Sequence, residues 1–166
     1  MRDRLFFCDT VTLSNFVLAG AVDLLVSRYG RRLVLTDEVL DEVAGGIVAG
    51  YTELAMVEGV LEKGHLGRTS VTAKEWKTKL DCLRTLGSGE SSCIACAFHR
   101  KGTVMTDDRA ARRYCDERGI PFTGTVGILL AACRDGDLEV HQADAILARM
   151  VERGFYSPVR NIASLL

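Results

Sequence analysis

Leu5-Phe6-Phe7-Cys8-Asp9-Thr10 decides how the rest of the chain is read: four apolar residues in succession, then an acid. A run that is apolar at every position, not alternating, fits a strand buried on both faces, as in a parallel sheet covered on two sides. We expect it to be the central strand. An aspartate closing such a strand loses most of its hydration, so it calls for a compensating partner.

Outward from this strand, Leu13, Phe16 and Val17, then Val22, Leu24, Leu25 and Val26, recur at helical spacing. Gly20 separates them and Gly30 ends the second helix. Arg32-Leu33-Val34-Leu35-Thr36 reads as a second strand, and Val39, Leu40, Val43, Ala44, Ile47 and Val48 as an amphipathic helix capped by Thr36 or Asp37. The stretch at about 45–86 is less regular and reads as a helical elaboration beside the site: helical from Leu54 to Leu61, a small edge strand from Arg68 to Thr72, helical again from Ala73 to Leu86. Gly87-Ser88-Gly89 breaks the chain before a helix from Glu90 to about His99. Thr103-Val104-Met105-Thr106 is a third clear strand, followed by a helix from about Asp108 to Arg118. Ile120-Pro121-Phe122 is another short strand, Thr125 caps a helix through Arg134, and a last helix near Ala143 to Arg153 belongs to a C-terminal helix and tail at about 139–166. The alternation predicts one α/β domain over residues 1–166. It has three layers, α/β/α, around a central parallel sheet of about four or five short strands with right-handed crossovers.

Composition sets the outer limits. With 166 residues, 48% hydrophobic, 26% charged and only 2 Pro, the chain can bury enough apolar surface to offset its ordering entropy, which excludes a disordered or fibrous protein. Its 21 basic and 22 acidic residues leave a formal charge of −1, so any binding to nucleic acid must use a local patch. The apolar part of Met1 to Asp9 is too short for an export signal, and Phe16 to Val26 and Val126 to Cys133 fall short of the roughly 20 residues of a membrane span. A soluble, cytoplasmic protein without a membrane partner is expected. In that reducing compartment the six cysteines read as core residues, and Cys93-x-x-Cys96-x-x-His99 lacks the second ligand pair a zinc site needs. Trp76 and Tyr51 read as packing residues, and no aromatic stacking platform is visible.

In open parallel sheets the ligand site lies beyond the carboxyl ends of the strands. Those positions are acidic here: Asp9 after the first strand, Asp107 and Asp108 after the third, Glu38, Asp41 and Glu42 on the helix after the second, and Glu90 opening a helix whose start faces the same rim. Singly, Asp37, Asp108 and Glu90 are accounted for as helix caps. Converging, such carboxylates raise one another's pKa or recruit a cation. A set with oxygen donors and no histidine matches Mg²⁺ or Mn²⁺ and suits phosphodiester hydrolysis. Arg109 or Arg112, on the helix beginning at the acids, would then clamp a phosphate. Of Asp107 and Asp108, two neighbours expected to point apart, we expect the first to be the ligand and the second the cap. Thr123-Gly124-Thr125-Val126-Gly127 lacks the Lys-Ser/Thr ending of a nucleotide-binding loop, so it reads as a tight turn with a helix cap.

Asp9-Thr10, Val39 to Val43, Gly89-Glu90, Thr106-Asp107-Asp108-Arg109 and Thr123 to Leu130, in this order over about residues 5–135, resemble a PIN domain. The last two motifs resemble a subgroup of uncharacterised prokaryotic PIN-like proteins. The resemblance implies a metal-dependent ribonuclease acting on RNA, often the VapC-like toxin of a toxin–antitoxin pair, with a small antitoxin protein and a second copy of the chain as partners. It implies a catalytic quartet of Asp9, Glu42, Glu90 and Asp107 or Asp108 holding Mg²⁺ or Mn²⁺, with Asp9, Glu90, Asp107 and Asp108 as metal ligands. Thr10 and Thr106 would orient ligands or waters from behind, and Arg109 and Arg112 would bind RNA. Glu90 departs from the aspartate of many such nucleases, and the 45–86 stretch is longer than in compact toxins. A catalytically inactive regulatory or RNA-binding module is the alternative. A haloacid-dehalogenase-like phosphatase fits less well, because Asp9-Thr10-Val11 lacks that family's second aspartate and Lys101 is poorly placed.

Overall fold

In the computed structural model, which describes residues 3–166, the opening run is β1 (Phe6–Cys8), at the centre of a five-stranded sheet; the charged start Met1-Arg2 lies outside the described residues. β2 (Leu33–Thr36) and β3 (Gly67–Thr69) extend the sheet on one side of β1, β4 (Thr103–Met105) and β5 (Phe122–Thr123) on the other, in the order β3-β2-β1-β4-β5. Every pairing is parallel, and Phe7 lies opposite both Val34 and Val104. Phe7, Cys8, Leu33, Leu35, Val104 and Met105 are fully buried, as strands covered on both faces require.

Nine helices among the described residues cover the sheet: α1 (Thr10–Leu18), α2 (Val22–Tyr29), α3 (Asp37–Val48), α4 (Met56–Glu62), α5 (Ala73–Cys82), α6 (Ser88–Arg100), α7 (Arg109–Glu117), α8 (Thr125–Arg134) and α9 (Val140–Glu152). Helix α6 touches β1, β2 and β4. Ser91, Ser92, Cys93, Ala95, Cys96 and Ala97 are all buried, and their small volumes let its backbone lie close to the strands. All six cysteines are free thiols, five of them buried and Cys133 half-buried. Among the described residues no single helix is long and apolar enough to cross a membrane.

Several boundaries differ from expectation for local reasons. The edge strand expected at Arg68 to Thr72 within the stretch at 45–86 is present as β3, shifted to Gly67–Thr69. β3 begins at Gly67, where a Cβ would lie 2.6 Å from the Arg31 carbonyl oxygen, so only glycine lets the edge strand approach β2. α5 ends at Cys82, short of Leu86, and β5 starts at Phe122 because Pro121 has no N–H to place in the ladder and offers only its carbonyl to Val104 N at 2.9 Å. α6 starts at Ser88, within the predicted break, with Gly87 as its cap. Gly124, not Thr125, caps α8. Trp76 and Tyr51 are about half exposed (46% and 51%), so neither is a core residue; the Lys79 ammonium lies 4.4 Å from the centre of the Trp76 ring.

One buried ion pair ties the long insertion to the sheet's cover. Glu75, on α5, accepts from Thr72 N (2.8 Å) and is held by two bonds from Arg100 of α6, Nε to Oε1 (2.7 Å) and Nη2 to Oε2 (3.0 Å). Arg100 Nη1 continues to Thr69 Oγ1 of β3 (2.8 Å). Burial alone would raise the Glu75 carboxyl; the Arg100 guanidinium and the Thr72 N–H overcome that and hold it at about 2. Arg100→Ala strands the carboxylate and should cost about 3 kcal/mol in urea unfolding, whereas Glu75→Leu/Arg100→Ala should regain part of the loss. The pair's contribution should be complete above about pH 4.5 and fade as pH falls toward 2.

Candidate active site

Parallel strands place their carboxyl ends on one edge, and the helices that follow begin there. Asp9, directly after β1, caps α1 by accepting Thr12 N at Oδ1 (2.8 Å). Asp108, three residues past the end of β4, caps α7 by accepting Ala111 N at Oδ1 (2.7 Å). Glu90, in the first turn of α6, accepts Gly87 N at Oε2 (3.0 Å). The capping account and the cluster account therefore describe the same residues. In Asp9, Glu90 and Asp108 one oxygen satisfies a helix start, and the other makes no hydrogen bond among the described residues.

Asp107 differs. Its Oδ1 accepts Thr125 N (2.9 Å), its Oδ2 accepts the Thr125 hydroxyl, and Arg112 Nη2 stands 3.5 Å from Oδ1. Both oxygens are thus occupied in holding the start of α8. The two neighbouring aspartates part as expected, Asp107 to the start of α8 and Asp108 to the start of α7 as its cap, although both residues line the same cleft. Thr106 is buried, and its Oγ1 accepts Asp108 N (3.1 Å), which shapes this junction. Glu42 is outside the cleft lining: exposed on α3, it accepts the Thr10 hydroxyl (3.1 Å) and Gly89 N (2.7 Å), bracing the starts of α1 and α6. A Cβ on Gly89 would overlap that carboxylate, which is why glycine stands there. Glu38 turns to Lys79 (3.1 Å), and Asp41 is exposed.

Asp9 is the most deeply buried of these acids. It is 1% exposed, and its Oδ2 is buried with no hydrogen-bond partner. Loss of hydration pushes its carboxyl up to about 6, the Thr106 and Thr12 groups ease that cost, and the Glu90 charge adds to it. Glu90 is itself raised, first by burial, with the Gly87 N–H opposing and the Asp108 and Glu42 charges adding.

The cleft in front of these acids encloses about 870 Å³. Its other walls come from α1 (Val11, Asn15), the β5–α8 turn, and the C-terminal residues Gly154 to Tyr156 and Pro158. Asn15 donates to Thr125 Oγ1 (3.1 Å) and was not singled out from the sequence, although an amide beside Phe16 on an apolar helix was the available signal. Gly124 lies so close to Arg112 and Asp107 that a Cβ would overlap both, which gives the Gly-Thr turn its reason. Arg112 is a brace more than a free clamp: Nε donates to Thr106 O (2.8 Å), and its guanidinium lies 5.4 Å from the centre of the Phe122 ring. Arg109 is exposed at the rim, with no hydrogen bond among the described residues. Arg100, near this patch in sequence, is spent on Glu75. Contrary to the sequence reading, aromatic rings do reach the cleft: Phe122, Phe155 and Tyr156.

The donor chemistry fits a hard divalent ion. The candidate ligands lining the cleft are carboxylates, with no histidine or cysteine among them, and the buried, unpartnered Asp9 Oδ2 is the kind of group a cation satisfies. The cluster is open, since among the described residues no three Asp, Glu, His or Cys side chains are gathered closely enough to hold a metal as they stand. Asp9, Glu90 and Asp108 have the spare oxygens.

The elevated Asp9 carboxyl has a stability consequence with a definite sign. The unfolded chain loses this proton near pH 3.8, the folded one near 6, so ionisation costs the fold stability as pH rises through that window. In chelator-treated protein, Asp9→Asn should therefore raise the unfolding free energy above pH 6 by about 2–3 kcal/mol and lose that advantage below about pH 4. A melting temperature that falls at pH 8 would mark Asp9 as purely structural.

A family model described as PIN domain matches residues 5–166. No curated protein matches the chain. The match takes in every strand of the parallel sheet and each acid on its carboxyl edge, and the chain belongs to the PIN-domain family, whose members are generally nucleases.

Proposed function

We propose that this protein is a metal-dependent ribonuclease that hydrolyses RNA phosphodiester bonds in the cleft beside Asp9. The observation that carries this reading is the buried Asp9 Oδ2, without a hydrogen-bond partner at the end of the central strand, on a residue that lines one cleft with Glu90, Asp107 and Asp108. Asp9, Glu90 and Asp108 would hold Mg²⁺ or Mn²⁺, each through the oxygen its helix cap leaves over. Bound there, the ion would neutralise charge on the phosphate and lower the pKa of a water.

The remaining residues position and steer. Glu42, bonded to Thr10 and Gly89 N, fixes the relative placement of α1 and α6, and so of Asp9 and Glu90. Asp107, Thr125 and Arg112 fix α8 and the far wall of the cleft. Arg109 meets the incoming phosphate as a free cation at the rim, and the N-termini of α1, α6, α7 and α8 add positive dipole ends to the same edge. A toxin role, with a small antitoxin protein and a second copy of the chain as partners, belongs to the same proposal. The exposed side chains Trp76, Leu80 and Leu83, one helical stripe along and just beyond α5, support a protein partner. The open carboxylate cluster favours a second reading, an RNA-binding module without catalysis.

Purified protein incubated with single-stranded RNA should cleave it in Mg²⁺ or Mn²⁺ and stop in EDTA; equal cleavage with and without chelator would sink the proposal. RNA retained but never cut under any divalent ion would select the second reading. Asp9→Asn and Asp108→Asn, which keep the cap geometry, should each lower turnover by about a hundredfold or more. Asp107→Ala should act differently, costing about 1–3 kcal/mol of stability by stranding the Thr125 and Arg112 donors. Full activity in Asp108→Asn, with inactivity in a stably folded Asp107→Ala, would reassign the ligand to Asp107.

A further inference from the structure

The cleft is larger than a phosphate and its metal need, and one side of it is aromatic. Tyr156 is 93% exposed, on the same cleft as Asp9 and Asp108. With Phe122 and Phe155 it brings three aromatic residues to the lining of one cleft, a surface suited to a flat ligand. The backbone that presents it is pinned on both sides. Phe155 N donates to Met150 O (3.0 Å) at the end of α9, and the half-buried Phe155 packs against the core. The Ser157 hydroxyl and Val159 backbone bond to each other, and the fully buried Ile162 donates its N–H to Asp144 of α9. The ring is therefore free while its support is fixed. Phe122, with the Arg112 guanidinium over its face, adds a second flat group to the same cleft.

We propose that Tyr156 is a stacking platform for an unpaired nucleobase next to the phosphodiester held at Asp9. The proposal rests on the ribonuclease reading above and names a base-binding residue for it. Aromatic faces bind any base, because every base has a π-face, whereas bases within a duplex already stack on their neighbours and are not free to receive the ring. The exposed Arg109 at the rim suits the phosphates on either side of that base. The carboxylate end thus takes the backbone, and the aromatic end takes the base.

The test uses the full chain carrying Asp9→Asn, so that RNA is bound and not cut, and a short single-stranded oligoribonucleotide with 2-aminopurine at successive positions. Binding should quench the fluorophore at one position. Tyr156→Ala should remove that quench and weaken binding about five- to a hundredfold, and Tyr156→Trp should retain both. An oligonucleotide abasic at the quenched position should bind the parent and Tyr156→Ala alike, and the matching RNA duplex should bind both weakly and equally. In the protein with Asp9 intact, Tyr156→Ala should raise KM more than it lowers kcat. Equal affinity and quench in Tyr156→Ala would overturn the stacking role, as would a loss of affinity that persists with the abasic oligonucleotide. RNA neither bound by the Asp9→Asn chain nor cut by the protein with Asp9 intact would instead remove the ribonuclease reading, and stacking with it. Cutting that persists alongside an unchanged Tyr156→Ala variant would remove stacking alone.

Discussion

The carboxylate of Asp9 is withdrawn from water by the strand that precedes it, and much of the functional edge is organised around that cost. A buried acid with one oxygen on a helix start and the other unsatisfied is tolerable only where compensation is close. The α1 N-terminus supplies part of it through Thr12 N. What remains is an unsatisfied demand for positive charge, directed into a cleft and shared with Glu90 and Asp108. Helix capping and ligand binding are therefore one device here: the cap fixes the carboxylate's orientation and the oxygen left over is available for chemistry.

Holding that edge together requires contacts from distant parts of the chain. Helix α6 can bring Glu90 to the rim because its buried face is, apart from Ile94, made of serine, cysteine and alanine, which allow close approach to β1 and β4. The insertion contributes α5 and β3, and the Glu75–Arg100 pair locks both to the outer end of α6. On the opposite side of the site, Arg149 Nε donates to Ala19 O (2.8 Å), tying α9 to the end of α1. The same α9 carries the chain back to place Tyr156 at the cleft. The stable elements surround the site, and the exposed groups, Arg109 and Tyr156, stand at its mouth.

Strand and helix order was legible in the sequence because burial on both faces writes continuous apolar runs, as in Leu5 to Cys8, and helices write spacings of three and four, as from Val39 to Val48. Asp9, Glu90 and the Asp107-Asp108 pair were legible as strand-end and helix-start acids for the same reason: an acid in that place is costly or useful, and seldom incidental. Element ends were less so. Gly67, Gly89 and Gly124 owe their identity to a carbonyl, a carboxylate and a guanidinium that are neighbours only in space. Local patterning cannot distinguish them from turn glycines.

The sequence by itself determined the parallel α/β architecture and the acidic carboxyl edge, since both follow from periodicity and from where acids interrupt it. Tertiary structure alone decided how the acids divide their work. Thr125, 18 residues beyond Asp107, takes both of that residue's oxygens, while Asp108 keeps one free. It also decided that Glu42 braces two helices outside the cleft and that the tail's aromatic ring reaches the site. These outcomes depend on which side chains from remote segments arrive within hydrogen-bonding or contact distance, a consequence of the folded path that no residue's own neighbours in sequence encode.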